Sequence, residues 1–198
     1  MDPPVHRPLR LLDLCVLTSS LLAGCTGTKA TTDGSSGPLQ RTLPGGVGSQ
    51  LLQVPDRQPA PTIRGETLEG KELDLASLRG QVVVMNFWAS WCNPCRAESA
   101  SLVKVAHDMA GQGVAFVGVN IKDERAAAKR FDEVHAVPYP SLFDQPGILL
   151  TRLHALVPQQ PPSTLLIDRA GRIAGIFRGG ITETELSGPV QSLARETA

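Results

Sequence analysis

The chain has 198 residues, enough for one domain of ordinary size plus an appendage. Lys and Arg balance Asp and Glu at 19 each, so no basic field points to nucleic acid. Two of its four cysteines, Cys15 and Cys25, fall at the extreme N-terminus and two, Cys92 and Cys95, stand together in mid-chain, which is not the framework of a disulfide-stapled mini-domain.

Arg7 and Arg10 give the chain a positive start, and Leu11 to Ala23 is a short, mostly apolar run interrupted by Asp13. The run is shorter than the ~20 residues that a transmembrane helix needs. It ends in Leu22-Ala23-Gly24-Cys25, which resembles a bacterial lipobox. That resemblance implies a signal peptide over residues 1–24 and a lipidated Cys25 as the first residue of the mature chain; a short uncleaved anchor or an ordinary signal cut nearby are the alternatives. Thr26 carries no inner-membrane retention signal of the Asp type. Thr26 to about Val54 is rich in Thr, Gly, Ser and Pro, cannot bury much apolar surface, and reads as a flexible tether, giving residues 25–54 that role. A coil of that length spans roughly 30 Å on average, which would hold the domain close to membrane-bound partners.

The globular domain is assigned to residues 55–198. Thr62-Ile63-Arg64 and Lys71 to Leu75 flank Leu68-Glu69-Gly70 and read as a hairpin, followed by a short turn or helix at Ala76–Arg79. Val82 to Phe87 is an apolar, β-branched run after Gly80 and reads as a buried strand. Glu98 to about Ala110 is helical with Leu102, Val103, Val105, Ala106 and Met109 on one face, and Gly111 and Gly113 stop it. Val114 to Val119 is a second buried strand, Lys122 to Val134 a charged helix, Tyr139 to Phe143 extended, and Ile148 to Leu156 a short helix. Strands around Leu165 and from Ile173 to Phe177 flank a turn at Asp168-Arg169-Ala170-Gly171. Thr182 starts a last helix with Glu183 and Glu185 in its first turn, broken or kinked near Gly188-Pro189. Strands alternating with helices and closing in a hairpin predict a mixed sheet with helices on both faces.

The chemistry centres on Cys92-Asn93-Pro94-Cys95 at the junction of the first strand and the following helix. Cys92 falls at or near the helix N-cap, where the partial positive charge of roughly half an elementary unit favours a thiolate. Cys92 is the expected exposed, attacking sulfur and Cys95, one turn in, the more buried resolving one. Pro94 costs little at an early helical position.

Asn86-Phe87-Trp88-Ala89-Ser90-Trp91-Cys92-Asn93-Pro94-Cys95 resembles the active-site segment of thioredoxin-like proteins of the TlpA/ResA/DsbE type, exported or membrane-tethered thiol–disulfide oxidoreductases. The resemblance runs from about Pro55 to Arg195. It implies an α/β thioredoxin-like fold, a central mixed β-sheet flanked by helices on both faces, with an N-terminal β-hairpin extension. It implies no small-molecule cofactor. Partners would be protein thiols and disulfides such as apocytochrome c, and a membrane electron-donor or acceptor thiol protein. Some relatives oxidise exported proteins instead, and Asn93-Pro94 does not choose the direction.

By the same match, Pro162 in Pro161-Pro162-Ser163-Thr164-Leu165-Leu166-Ile167-Asp168 is the cis-proline packed against the cysteine pair. The residue before it offers backbone groups to substrate; Pro161 keeps the carbonyl and lacks the donor, so docking has one hydrogen bond fewer. Glu98 stands where ResA-like proteins carry a Glu linked to proton transfer or thiol tuning, and the alternative is a surface carboxylate favoured by the helix dipole. Thioredoxins proper use a buried Asp six residues before the first Cys; here that position is Asn86, which takes no proton. Trp88 reads as core and Trp91 as a partly exposed part of the docking surface.

Three other chemistries compete. Zinc needs four ligands, whereas only one Cys pair is present and His107, His135 and His154 lack ligand spacing to it. A peroxidatic cysteine of the peroxiredoxin type needs Thr-x-x-Cys, and Ala89 occupies the Thr position. A copper chaperone would space its thiols differently and add a positioned His or Met.

Overall fold

The computed structural model describes residues 41–42, 50–153, 155–157 and 160–197. The expected signal peptide, Cys25, most of the tether and His154 lie outside them. In chain order the elements are β1 (Arg41–Thr42), β2 (Gln50–Leu51), β3 (Arg64–Glu66), β4 (Glu72–Asp74), β5 (Val82–Trp88), α1 (Asn93–Asp108), β6 (Val114–Ile121), α2 (Arg125–His135), β7 (Ser141–Asp144), α3 (Ile148–Arg152), β8 (Ser163–Ile167), β9 (Ile173–Arg178) and α4 (Glu183–Arg195). Short 3₁₀ turns occupy Val54–Asp56 and Leu75–Leu78.

All residues of β5 are buried, as its unbroken apolar run predicts for a strand covered on both faces. It pairs in parallel with β6, and β6 with β7. On its other side it pairs antiparallel with β8, which continues through β9 and β2 to β1, so the sheet order is β1-β2-β9-β8-β5-β6-β7. Alternation along the strands divides the core. Val83, Met85 and Phe87 join Val119, Leu150 and Leu165 on one face, while Val82 and Val84 meet Leu102 and Val105 of α1 and Leu186 and Val190 of α4 on the other.

The predicted hairpin is present as β3–β4, turning through Gly70 at φ +81°. It covers the exposed edge of β7: Leu68 N–H donates to Ser141 O at 2.8 Å, and the Arg125 guanidinium holds Thr67 O, Leu68 O and Glu66. The same contact carries Leu68 into a small cluster with Trp88, Ala89, Cys92, Cys95 and Ala128.

Two expectations need correction. The tether does not extend to residue 54, because Gln50 and Leu51 pair with Ile176 and Gly175 and Leu52 N–H donates to Ala174 O. Leu51 and Leu52 pack against the two faces of the core; two apolar residues in a polar stretch are too few to register as a periodic pattern. The last helix is not broken at Gly188-Pro189 but runs from Glu183 to Arg195. Thr182 and Glu185 form a capping box, and buried Leu186, Val190 and Leu193 fix the helix to the sheet on both sides of Pro189. Packing overrides the local breaker.

At the far end of β5 from the cysteines, buried Arg57 bonds Asp168 Oδ2 at 3.2 Å and Glu196 at 2.6 Å, while Arg172 donates its backbone N–H to Asp168 Oδ1 and its Nε–H to Oδ2. Burial pushes the Asp168 carboxyl up, but the Arg172 backbone N–H and the Arg57 and Arg172 guanidiniums outweigh it and hold the group below its ordinary value.

Candidate active site

β5 ends at Trp88, a three-residue loop follows, and α1 begins with Cys92 as its N-cap and Pro94 in its first turn. Cys92 and Cys95 form a disulfide, and Cys95 N–H donates to Cys92 Sγ at 3.1 Å. The helix therefore directs a backbone donor and the positive end of its dipole at the first sulfur, the arrangement that stabilises a thiolate once the bond is reduced. The expected contrast in exposure is nearly absent: Cys92 is 4% exposed and Cys95 2%. In the disulfide form the Cys92 sulfur turns inward to its partner, within the cluster that includes Leu68 and Ala128. Trp91, at 54%, is the exposed residue beside them.

The loop before Cys92 is held by a group that the sequence reading missed. Asp123, buried between β6 and α2, accepts from Ser90 N–H at 2.6 Å, Ser90 Oγ at 2.8 Å, Asn120 Nδ2 at 2.9 Å and Glu124 N–H at 2.8 Å. Arg96 donates to Ser90 O, and Trp91 Nε1 donates to Lys122 O at 2.9 Å. Trp88 is core as expected, its Nε1 on Ser141 Oγ at 3.1 Å and its ring 4.6 Å from that of Phe131.

The Pro161–Pro162 peptide is cis. Pro162 is buried, its carbonyl accepts from Gly179 N–H, and Pro161 is half-buried. Ser163 pairs with Phe87, so the register brings Pro162 to the end of β5 that carries the active-site loop.

Glu98 is not a surface carboxylate. It is 4% exposed; Asn86 Nδ2 donates to Oε1 and Ile181 N–H to Oε2, each at 2.9 Å. Burial pushes its pKa up to about 7 against the opposing pull of those two donors. Asn86, itself held by Thr164 Oγ1, therefore orients the acid rather than replacing it. Glu98 lies one turn beyond Cys95 on α1, and a carboxyl poised near neutrality there can give or take a proton as the thiols open and close. His135 stacks on Phe131 and meets Ser99 Oγ through Nδ1 at 2.9 Å, while His107 is exposed on α1. Among the described residues no group of three or more His, Cys, Asp or Glu side chains is arranged to hold a metal ion.

Residues 57–176 match the model of the AhpC/TSA family. That match is broader than the peroxidatic Thr-x-x-Cys signature, which Ala89 still departs from. The chain is 35% identical over 195 residues to the thiol:disulfide interchange protein HelX of Rhodobacter capsulatus, covering 97% of this chain and 98% of that one. It is 31% identical over 118 residues to the thiol-disulfide oxidoreductase ResA of Halalkalibacterium halodurans, spanning 60% of this chain and 65% of the relative. The crystal structure of a secreted thiol-disulfide isomerase from Corynebacterium glutamicum superposes with a TM-score of 0.72 at 29% identity, covering 79% of this chain and 98% of that one. With its Cys-x-x-Cys pair at the helix N-cap, a cis-proline at the same end of the sheet and these relatives, the chain belongs to the AhpC/TSA family and, within it, to the thioredoxin-fold thiol–disulfide oxidoreductases of the TlpA/ResA/DsbE type.

Proposed function

We propose that this oxidoreductase works outside the cytoplasm, anchored through a lipid on Cys25, as a reductant of exported protein disulfides, with the haem-binding cysteines of apocytochrome c as its substrate class. The observation that carries the reading is the buried Glu98 beside the Cys92–Cys95 pair, placed by Asn86 and the Ile181 N–H and titrating near neutrality. The resemblance of the active-site segment to ResA-like proteins, which implies a Glu at this place and apocytochrome c as substrate, supports it, as does the likeness to ResA and HelX.

Reduced Cys92, ionised under the helix dipole and the Cys95 N–H, attacks one sulfur of the substrate disulfide. A mixed disulfide forms at Cys92 and the other substrate sulfur leaves as a thiolate. Cys95 then displaces the remaining substrate sulfur from Cys92, closing the Cys92–Cys95 bond. Two electrons pass from the enzyme dithiol to the substrate, and a membrane thiol protein restores the dithiol. Trp91, Pro161 and Pro162 border the docking face, where Pro161 offers a carbonyl and no N–H.

The reduction potential of the pair, equilibrated against glutathione and dithiothreitol, tests the direction. A value of about −270 mV supports the reductant role, and one between about −180 and −120 mV would make the protein an oxidant or isomerase and remove the basis for the cytochrome reading.

A further inference from the structure

Behind the disulfide lies a cavity of about 10 Å³, room for a single water molecule. Its lining includes Cys95, Asn86 and Ser99 on one side and Asp132 and Tyr139 on the other. Asp132 and Tyr139 also line a wider, solvent-open groove between the β3–β4 hairpin and the connection from α2 to β7. Asp132 is the carboxylate common to both spaces. Its Oδ1 is buried without a hydrogen-bond partner, although leaving a buried oxygen unpaired is costly. Such an atom in a native fold calls for a reason. Glu98, by contrast, has both oxygens engaged.

We propose that Asp132 carries the proton of the Cys95 thiol between the buried sulfur and solvent, through the water-sized cavity. In the mixed disulfide, Cys95 Sγ–H passes its proton through cavity water to the Asp132 carboxylate. The Cys95 thiolate attacks Cys92 Sγ, the Cys92–Cys95 bond forms, and the bond from Cys92 to the substrate sulfur breaks. The substrate leaves as a thiolate and takes a proton from bulk water, while Asp132 releases its own into the groove. When electrons run the other way, Asp132 protonates Cys95 as it leaves. Asp132 acts through the water rather than on the reacting sulfurs, so it is a positioning residue for the proton.

The surroundings suit that task. Glu69, Lys71 and Glu72 face Asp132 across the groove from the hairpin, Tyr139 and Cys95 face it across the cavity, and His135 follows it one turn along α2. Burial, reinforced by the charge of Glu69, pushes the Asp132 carboxyl up to about 7, so it holds and releases a proton near neutrality. The Tyr139 phenol is held well above its ordinary range by burial and by the charges of Asp132 and Glu98, so it stays protonated and leaves the exchange to the acids.

This inference rests on the dithiol chemistry of the site, not on the identity of the substrate. Its test is single-turnover reaction of the reduced full chain with Ellman's reagent. Attack by Cys92 releases the first coloured thiolate, and closure by Cys95 releases the second. In D132N the first phase keeps its rate, and the second slows about ten-fold at neutral pH and keeps only the inflection that Glu98 contributes. E69Q, a change at an exposed hairpin position that leaves the α2 packing untouched, moves the Asp132 inflection to lower pH. A second phase in D132N with the rate and pH profile of the parent would overturn the proposal, as would an unmoved inflection in E69Q should D132N not fold. A parent protein that shows neither phase would instead contradict the dithiol chemistry itself.

Discussion

Replacing Glu98 with Gln should change how stability depends on pH, by an amount set by where the carboxyl sits. Burial carries its pKa from 4.5 to about 7 against the donors on Asn86 and Ile181. Below the unfolded value both states are protonated, and the stability linked to this group is fully present. As pH rises, the unfolded chain ionises first while the folded protein keeps its proton, so that stability is lost progressively up to the folded value. At about 1.4 kcal/mol per pH unit, this window is worth ~3 kcal/mol. Gln does not titrate. It accepts one of the two hydrogen bonds and sets an amide N–H against the other donor, a pH-independent cost of about 1–3 kcal/mol. E98Q should therefore be less stable than the parent near pH 4, and the gap should close or reverse by about pH 8, a swing of ~3 kcal/mol. Urea unfolding of both disulfide forms, followed by tryptophan fluorescence, measures it; Asp132 titrates in both proteins and cancels in the difference. A stability difference that stays flat across that range would refute the placement of an ionisable group in a dry site.

Asp123→Asn leaves some of the four donors on Asp123 without a good acceptor and should cost about 1–3 kcal/mol, with slower attack by Cys92 because Ser90 and Trp91 lose their anchor; unchanged melting and unchanged single-turnover kinetics would contradict the clamp. At Gly118 an added Cβ would lie 2.8 Å from Trp88 Nε1 and closer still to Ser141 Oγ. Gly118→Ala should lower stability by about 1–3 kcal/mol, read as a drop in Tm. Pro161→Thr restores the missing backbone donor and should lower the apparent KM for a disulfide peptide by roughly two- to ten-fold; an unchanged KM would mean that substrate does not pair with this segment.

Features written in neighbouring residues were legible in the sequence. The all-apolar β5, the capping position of Cys92, the Gly70 turn and the Thr182–Glu185 cap each follow from a local pattern that tertiary packing reinforces. What escaped was pairing across distance. The amide of Asn86 meets Glu98 because a strand and a helix cross, and Asp123 reaches Ser90 across 33 positions. Neither contact leaves a periodic trace. Position alone left Glu98 divided between surface and site, and its burial excludes the surface. The cis-proline was legible through resemblance and not through its Pro-rich context. The low exposure of Cys92, bonded to Cys95 beside Leu68 and Ala128, is likewise set by tertiary packing that no pattern of residue types encodes.

The Arg57 clasp gives the domain a polarity. Arg57, shortly after β2, holds Glu196 at the end of α4, and both sit with Asp168 at the pole of the sheet opposite Cys92. The segment after β2 and the end of α4 are thus buckled together at the pole that carries no thiol. Trimming back past Glu196 would unfasten the base of the fold and leave the chemistry at the other pole in place.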